Sequence, residues 1–272
     1  MKEKRHVGIL EKIVPVLLLV SIALSFAVGI LWQKVTGLES GKTATAVVPT
    51  GAQQAATGET AQAISLDTVK GLFKKDLIKL GDDRRKVLFV EISDPSCPYC
   101  SIAAGKNPEL NKSASGGRFT LVADGGTYVA PVPEIKKLVD EKKASFVYIY
   151  SPGHGNGEMG MRALYCANEK GKFWEVSDLL MSAKGYDLLN NTIKNDKTKA
   201  KELAEFLSPA FKSSDMQKCL ESNKYDNRLT SDTQVASSLG IEGTPFFAVN
   251  ATKFAGAYSF KDMEAVVNAA LK

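Results

Sequence analysis

Val87 to Val90 is an unbroken apolar run that leads through Glu91-Ile92-Ser93-Asp94-Pro95-Ser96 into Cys97-Pro98-Tyr99-Cys100, and small and apolar residues follow from Ser101 to Ala104. The pattern predicts a buried strand, a short turn and a helix whose first residues carry both cysteines. Two cysteines two residues apart at a helix start can close a small disulfide ring. The helix N-terminus favours the thiolate of the first. This stretch constrains the rest of the chain, because a strand aimed at such a dithiol needs a sheet around it.

Four cysteines in 272 residues are zinc ligands, reduced core residues or disulfides until compartment and spacing decide. The compartment is read from the N-terminus. Residues 1–12 carry Lys2, Lys4, Arg5 and Lys12, and residues 13–32 contain no charge. About 20 apolar residues cross a bilayer core, so 13–32 is expected to be a transmembrane helix. The preceding positive charges place the N-terminus in the cytoplasm and the main domain outside, in the periplasm or beyond. A cleaved signal peptide is the alternative, with Ala44-Thr45-Ala46 as its site, but signal h-regions are shorter. Residues 33–64 are dominated by Gly, Ala, Thr, Ser and Gln and read as a flexible linker. With 35 Lys plus Arg against 30 Asp plus Glu, the net charge is small and interspersed, which argues against nucleic acid as a partner.

Residues 65–272 form the globular part, opening with a helix capped by Ser65. Beyond the dithiol helix, Arg118 to Ala123 alternates like a strand, Gly125 to Pro133 reads as a loop, Glu134 to Lys142 as a helix and Ser145 to Tyr150 as a strand. From about 158 to 239 the apolar spacing is helical throughout. Strand character returns at Pro245 to Asn250 and Lys253 to Ala257, before a closing helix from Ser259. Strands alternating with helices define an α/β fold.

Three segments in this order carry a resemblance: Val90-Glu91-Ile92-Ser93-Asp94-Pro95-Ser96-Cys97-Pro98-Tyr99-Cys100; Ala163-Leu164-Tyr165-Cys166-Ala167 with Gly171-Lys172-Phe173-Trp174; and Gly240-Ile241-Glu242-Gly243-Thr244-Pro245-Phe246-Phe247. Together they resemble the DsbA-like thiol-disulfide oxidoreductases, which have a thioredoxin-like fold with an inserted all-helical subdomain. Glutaredoxins share Cys-Pro-Tyr-Cys, but in them the conserved proline follows far sooner than Pro245 does here. The resemblance is loosest between Asn107 and Gly157.

The resemblance implies that Cys97 is an exposed nucleophile and that Cys100 resolves the mixed disulfide. Glu91, six residues before Cys97, falls where related proteins carry a buried acid able to shuttle the Cys100 proton; a solvent-facing strand Glu is the alternative. Asp94 is expected to cap the turn. Thr244 and Pro245 resemble the cis-proline loop that pairs with an extended substrate, and Pro98 and Tyr99 face the same polypeptide. Cys166 and Cys219 match a structural disulfide of extracytoplasmic relatives, with two separate buried thiols as the alternative. The implied partners are reduced or unfolded secreted polypeptides and a membrane redox partner of DsbB/VKOR type, without cofactor or metal. A zinc knuckle would need two more ligands, and His6 and His154 are the only histidines. Tyr99 stands where close relatives often have His, which implies a milder oxidant, and Thr244 resembles the disulfide isomerases, so a reductase or isomerase stays open. A non-catalytic peptide-binding or chaperone module is the remaining reading. Gly155-Asn156-Gly157-Glu158-Met159-Gly160 formally matches a dinucleotide fingerprint. A helix occupies the place where the second strand and its acid should follow, so it reads as a glycine-rich loop.

Overall fold

Leu88, Val90 and Ile92 point to one face of a strand and Phe89, Glu91 and Ser93 to the other, and all six are buried. A strand whose alternating side chains are buried on both faces needs cover on both sides. The computed structural model describes residues 64–272, and in it this strand is the centre of a five-stranded mixed sheet. The expected cytoplasmic segment, the span at 13–32 and nearly all of the linker lie outside the described residues. Among the described residues no helix is long and apolar enough to cross a membrane.

In chain order the elements are α1 (Leu66–Leu72), β1 (Ile78–Leu80), β2 (Val87–Ser93), α2 (Pro98–Ala104), α3 (Pro108–Ser113), α4 (Pro131–Asp140) and β3 (Ala144–Tyr150). The helical insertion follows as α5 (Glu158–Asn168), α6 (Phe173–Leu180), α7 (Ala183–Asp187), a π-helical turn at Leu188–Ile193, α8 (Ala200–Phe206), α9 (Ser213–Glu221) and α10 (Asp226–Ser238). The hairpin β4 (Phe246–Val249) and β5 (Thr252–Ala255) precedes α11 (Phe260–Leu271). The strand order is β1-β3-β2-β4-β5, with β2 and β3 parallel and the other pairs antiparallel.

One sheet face packs Leu88, Val90, Ile92, Val147 and Ile149 against Val69 and Leu72 of α1 and Val235 and Ala236 of α10. The other joins Phe89, Phe146, Tyr148 and Phe247 to Ile135 of α4, Met263 and Val267 of α11, and the helices of the insertion. Each fully buried aliphatic side chain contributes about 1.5–3 kcal/mol. Ser65 caps α1, its hydroxyl accepting from the Thr68 N–H at 3.0 Å.

Two expectations are corrected. Residues 118–123 form no strand: Gly116, Gly117 and Gly125 take positive φ values of 66°, 85° and 84° and turn the chain back on itself, leaving one bridge between Leu121 and Tyr128. The alternating Phe119 and Leu121 serve a loop that packs on Ile102 of α2. The Pro131-Val132-Pro133 segment is not a loop but the first turn of α4, where Pro131 fits because that position has no helical hydrogen bond to lose.

Candidate active site

Cys97 is the N-cap of α2 and Pro98 its first residue. Proline's fixed φ suits that position. The cap places the Cys97 sulfur near the backbone N–H groups of Tyr99 and Cys100, which favour its thiolate. Both cysteines are free thiols. Across the site the Thr244–Pro245 peptide bond is cis, and the Cys97 thiol donates to the Thr244 carbonyl at 3.4 Å. The Thr244 hydroxyl is buried with no formed hydrogen bond to protein and lies where it donates to a Cys97 thiolate.

The expectation of an exposed Cys97 is wrong: its relative exposure is 1%. Met181, beyond α6, packs with Cys97, Cys100 and Ala104, and the Thr244 loop closes the other side. The exposed member of the motif is Tyr99, at 42%. Its ring meets Phe119 edge-on at 5.9 Å, and Phe119 meets Tyr128 in the same way at 5.3 Å. A loop from the region where the resemblance is loosest therefore buttresses Tyr99.

The two thiols are electrostatically unlike. The Cys97 pKa falls from 9.0 to about 6, chiefly because the Cys100 thiol donates to it, with the Thr244 hydroxyl and two backbone N–H groups adding to the effect against burial. The Cys100 pKa is pushed well above 9.0, first by burial and then by its role as donor to Cys97. One thiol of the pair is thus a thiolate at neutral pH while the other keeps its proton.

Glu91 is buried, at 2% exposure, between Tyr148 on β3 and Phe247 on β4. Burial lifts its carboxyl to about 7, opposed by the nearby Ser93 hydroxyl. Asp94 does more than cap the turn. Its Oδ1 accepts from the Ser96 N–H and hydroxyl at 2.8 and 2.7 Å, and its Oδ2 from the Gly153 and His154 N–H groups at 2.7 and 2.8 Å. The carboxylate thus fastens the glycine-rich loop after β3 to the dithiol turn. His154 itself is exposed. A Cβ on Gly157 would lie 1.8 Å from Asp94 Oδ1, and one on Gly153 would lie 2.1 Å from Thr244 Oγ1. These glycines are a packing requirement of the site.

The insertion also reaches the dithiol. Ser101 Oγ donates to the Met181 carbonyl at 2.9 Å and Asn190 Nδ2 to the Ser96 carbonyl at 3.1 Å. Cys166 on α5 and Cys219 on α9 are joined in a disulfide, which braces the insertion. Sequence reasoning missed Ser93, Tyr148 and Met181. A signal for Ser93 was present: two residues after Glu91, it is the second polar side chain on one face of an otherwise apolar strand.

The model of the family described as Thioredoxin matches residues 132–269, just over half of the chain. The chain belongs to this thioredoxin family. The matched stretch includes the Cys166–Cys219 pair and Thr244–Pro245 and begins after Cys100. Among solved structures, oxidised BdbD from Bacillus subtilis is 15% identical, covering 78% of this chain and 97% of its own, with a TM-score of 0.52. The thiol-disulfide exchange protein alpha-DsbA2 from Wolbachia pipientis is 15% identical over 75% of this chain and 96% of its own, TM-score 0.51. The reduced disulfide bond oxidoreductase DsbG from Mycobacterium tuberculosis is 18% identical over 75% and 97%, TM-score 0.51. The fold of this thioredoxin-family chain is thus that of DsbA/DsbG-type thiol-disulfide oxidoreductases. A curated relative, the Na(+)/H(+) antiporter NhaA 3 of Salinispora tropica, is 24% identical over 194 residues, which are 70% of this chain. The chain spans about a quarter of that protein's length, 24%.

Proposed function

We propose that this chain is an extracytoplasmic thiol-disulfide oxidoreductase that passes its Cys97–Cys100 disulfide to reduced secreted polypeptides. The observation that carries the reading is the asymmetric thiol pair: a stabilised Cys97 thiolate at the start of α2, facing the Thr244 carbonyl, with a protonated Cys100 beneath it.

In the oxidised protein a substrate thiolate attacks Cys97 Sγ. The Cys97–Cys100 bond breaks, a substrate–Cys97 disulfide forms, and Cys100 leaves with the electron pair and takes a proton. A second substrate thiolate then attacks the substrate sulfur of the mixed disulfide and releases Cys97 as its stabilised thiolate. The substrate gains a disulfide and the protein holds a dithiol. Thr244, preceding Pro245, offers backbone groups to an extended substrate in the manner of an added strand. Reoxidation falls to a membrane redox partner of DsbB/VKOR type, and residues 13–32 tether the domain beside it. The uncharged length of that segment supports the tether.

A reductase runs the same steps in reverse and an isomerase combines both directions at one site, and the absence of a cationic side chain between the cysteines keeps this as the second reading. A Cys97 pKa of about 6 lies between the ~7 of thioredoxin and the ~3.5 of DsbA. The reduction potential is therefore expected between roughly −270 and −120 mV. Equilibration of the full chain with glutathione measures it. A potential at or below the thioredoxin value contradicts the oxidase direction. Retained oxidation of a reduced, unfolded ribonuclease by Cys97→Ser would contradict the exchange reading altogether.

A further inference from the structure

The leaving sulfur, Cys100, needs a proton, and two buried acids precede it, Asp94 and Glu91. Asp94 spends both oxygens on four donors, which leaves Glu91. Between Glu91 and Cys100 lies a patch of polar side chains on one sheet face. In the parallel register of β2 and β3, Glu91 pairs with Tyr148 and Ser93 with Tyr150, so all four share the face that also carries Phe89 and Phe146. Their exposures are 2%, 1%, 0% and 2% in that order. The Cys100 thiol stands at the end of β2, where the Asp94 N–H donates to its sulfur at 3.5 Å.

Ser93 Oγ, Tyr148 Oη and Tyr150 Oη are buried on this patch without a formed hydrogen bond. A buried hydroxyl left unmade costs about 1–3 kcal/mol, so three on one face call for a reason. Ser93 is the neighbour common to the groups around it: its hydroxyl is within hydrogen-bonding influence of the Glu91 carboxyl, the Cys100 thiol and the Tyr148 phenol. A serine hydroxyl rotates freely and both donates and accepts. An unoccupied hydroxyl in this position can serve whichever of the two neighbours is charged.

We propose that Ser93 relays the proton between Cys100 and Glu91 during disulfide exchange. The inference rests on the exchange reading above and deepens it. When the Cys97–Cys100 bond breaks, Cys100 leaves as a thiolate and takes the proton of Ser93 Oγ–H, and Ser93 takes the proton of the Glu91 carboxylic acid, which becomes a carboxylate. Closure runs the same transfers backwards: the Cys100 thiol gives its proton through Ser93 to the Glu91 carboxylate as its sulfur attacks Cys97 and the substrate thiolate departs. Tyr148 and Tyr150 flank the path as neutral phenols, both held above their ordinary range by burial. The other ionisable groups facing the patch are Cys97 from α2 and Asp94 at the end of β2, with Glu158, Arg162 and Tyr165 of α5 and Asp232 of α10 beyond Tyr150.

The test isolates the Cys100 step. The full chain is prepared with a glutathione mixed disulfide on Cys97, and its closure is followed from pH 5 to 9 in wild type, Ser93→Ala, Ser93→Thr, Glu91→Gln and the Ser93→Ala/Glu91→Gln double variant. General acid–base steps contribute about 100-fold or more, so Ser93→Ala is expected to slow closure by about that factor and to lose the inflection near pH 7. Ser93→Thr restores both, and Ser93→Ala adds nothing to Glu91→Gln. In the fully reduced form of each variant the Cys97 thiolate titration stays near pH 6. Wild-type rate and pH profile in Ser93→Ala overturn the relay, as does equal slowing in Ser93→Ala and Ser93→Thr, which would mark a packing role. Should Ser93→Ala not fold, the wild-type closure rate in heavy water decides: a fall near pH 7 supports proton transfer in the step, and no fall overturns it. If Cys97→Ser still exchanges disulfides, the parent reading fails; if only the Ser93 effects are missing, the relay alone fails.

Discussion

The Cys97 thiol donates to the Thr244 carbonyl across 147 residues of sequence, so the start of α2 and the loop before β4 form one surface. The groups that stabilise the thiolate meet at this junction: Cys100, two backbone N–H groups and the Thr244 hydroxyl, against the burial to which Met181 contributes. The first expected outcome concerns that sulfur. In the reduced protein, thiolate absorbance should rise with a midpoint near pH 6, and Cys100→Ala should move the midpoint up because it deletes the largest stabilising donor. A depressed acid pKa adds stability that is complete above the ordinary value of 9.0 and is lost as pH falls through about 6. Denaturation of reduced against oxidised protein should therefore show the reduced form gaining between pH 6 and 9.

Glu91 acts with the opposite sign. Its carboxyl is raised from 4.5 to about 7, so its contribution is fully present below 4.5 and is lost as pH rises through 7. Wild type should be less stable at pH 8 than at pH 5 by on the order of 3 kcal/mol from this group, and Glu91→Gln should remove that slope. Denaturant midpoints at the two pH values check it.

Gly157 packs its Cα against a carboxylate that four hydrogen bonds hold still. Gly157→Ala should cost about 1–3 kcal/mol through overpacking and slow exchange as the Asp94 turn shifts. Gly71, inside α1 with nothing within 4 Å of an added Cβ, is the contrast: Gly71→Ala should stabilise by up to about 1 kcal/mol. Thermal melts of both variants separate the two cases.

The Cys166–Cys219 bridge closes a separation of 53 residues within the insertion. Replacing both cysteines by alanine should lower stability by ~2–4 kcal/mol. The rate of Cys97–Cys100 exchange should be unaltered, since neither sulfur borders the dithiol.

Much of the site was legible because its chemistry is local. Cys-Pro-Tyr-Cys announces a helix start, and Glu91 lies on the strand that leads into it. Thr244 and Pro245 became legible through resemblance, since nothing in the adjacent sequence ties them to Cys97. What could not be read depends on long-range packing. The burial of Cys97 is set by Met181, more than eighty residues away. The work of Asp94 depends on a loop 59 residues further on. Residues 118–123 misled because apolar alternation says that two positions are covered, not that a neighbouring strand covers them. The three residues of β1 were too short to show a period at all.

The most direct test of the account is to capture its intermediate. With Cys100→Ser, the Cys97 thiolate has no resolving partner, so mixing the variant with an oxidised disulfide-bonded polypeptide should give a covalent adduct that reductant releases and that mass mapping places on Cys97. No adduct, or an adduct that persists in Cys97→Ser/Cys100→Ser and maps to Cys166 or Cys219, would contradict the assignment of Cys97 and Cys100 as the exchanging pair.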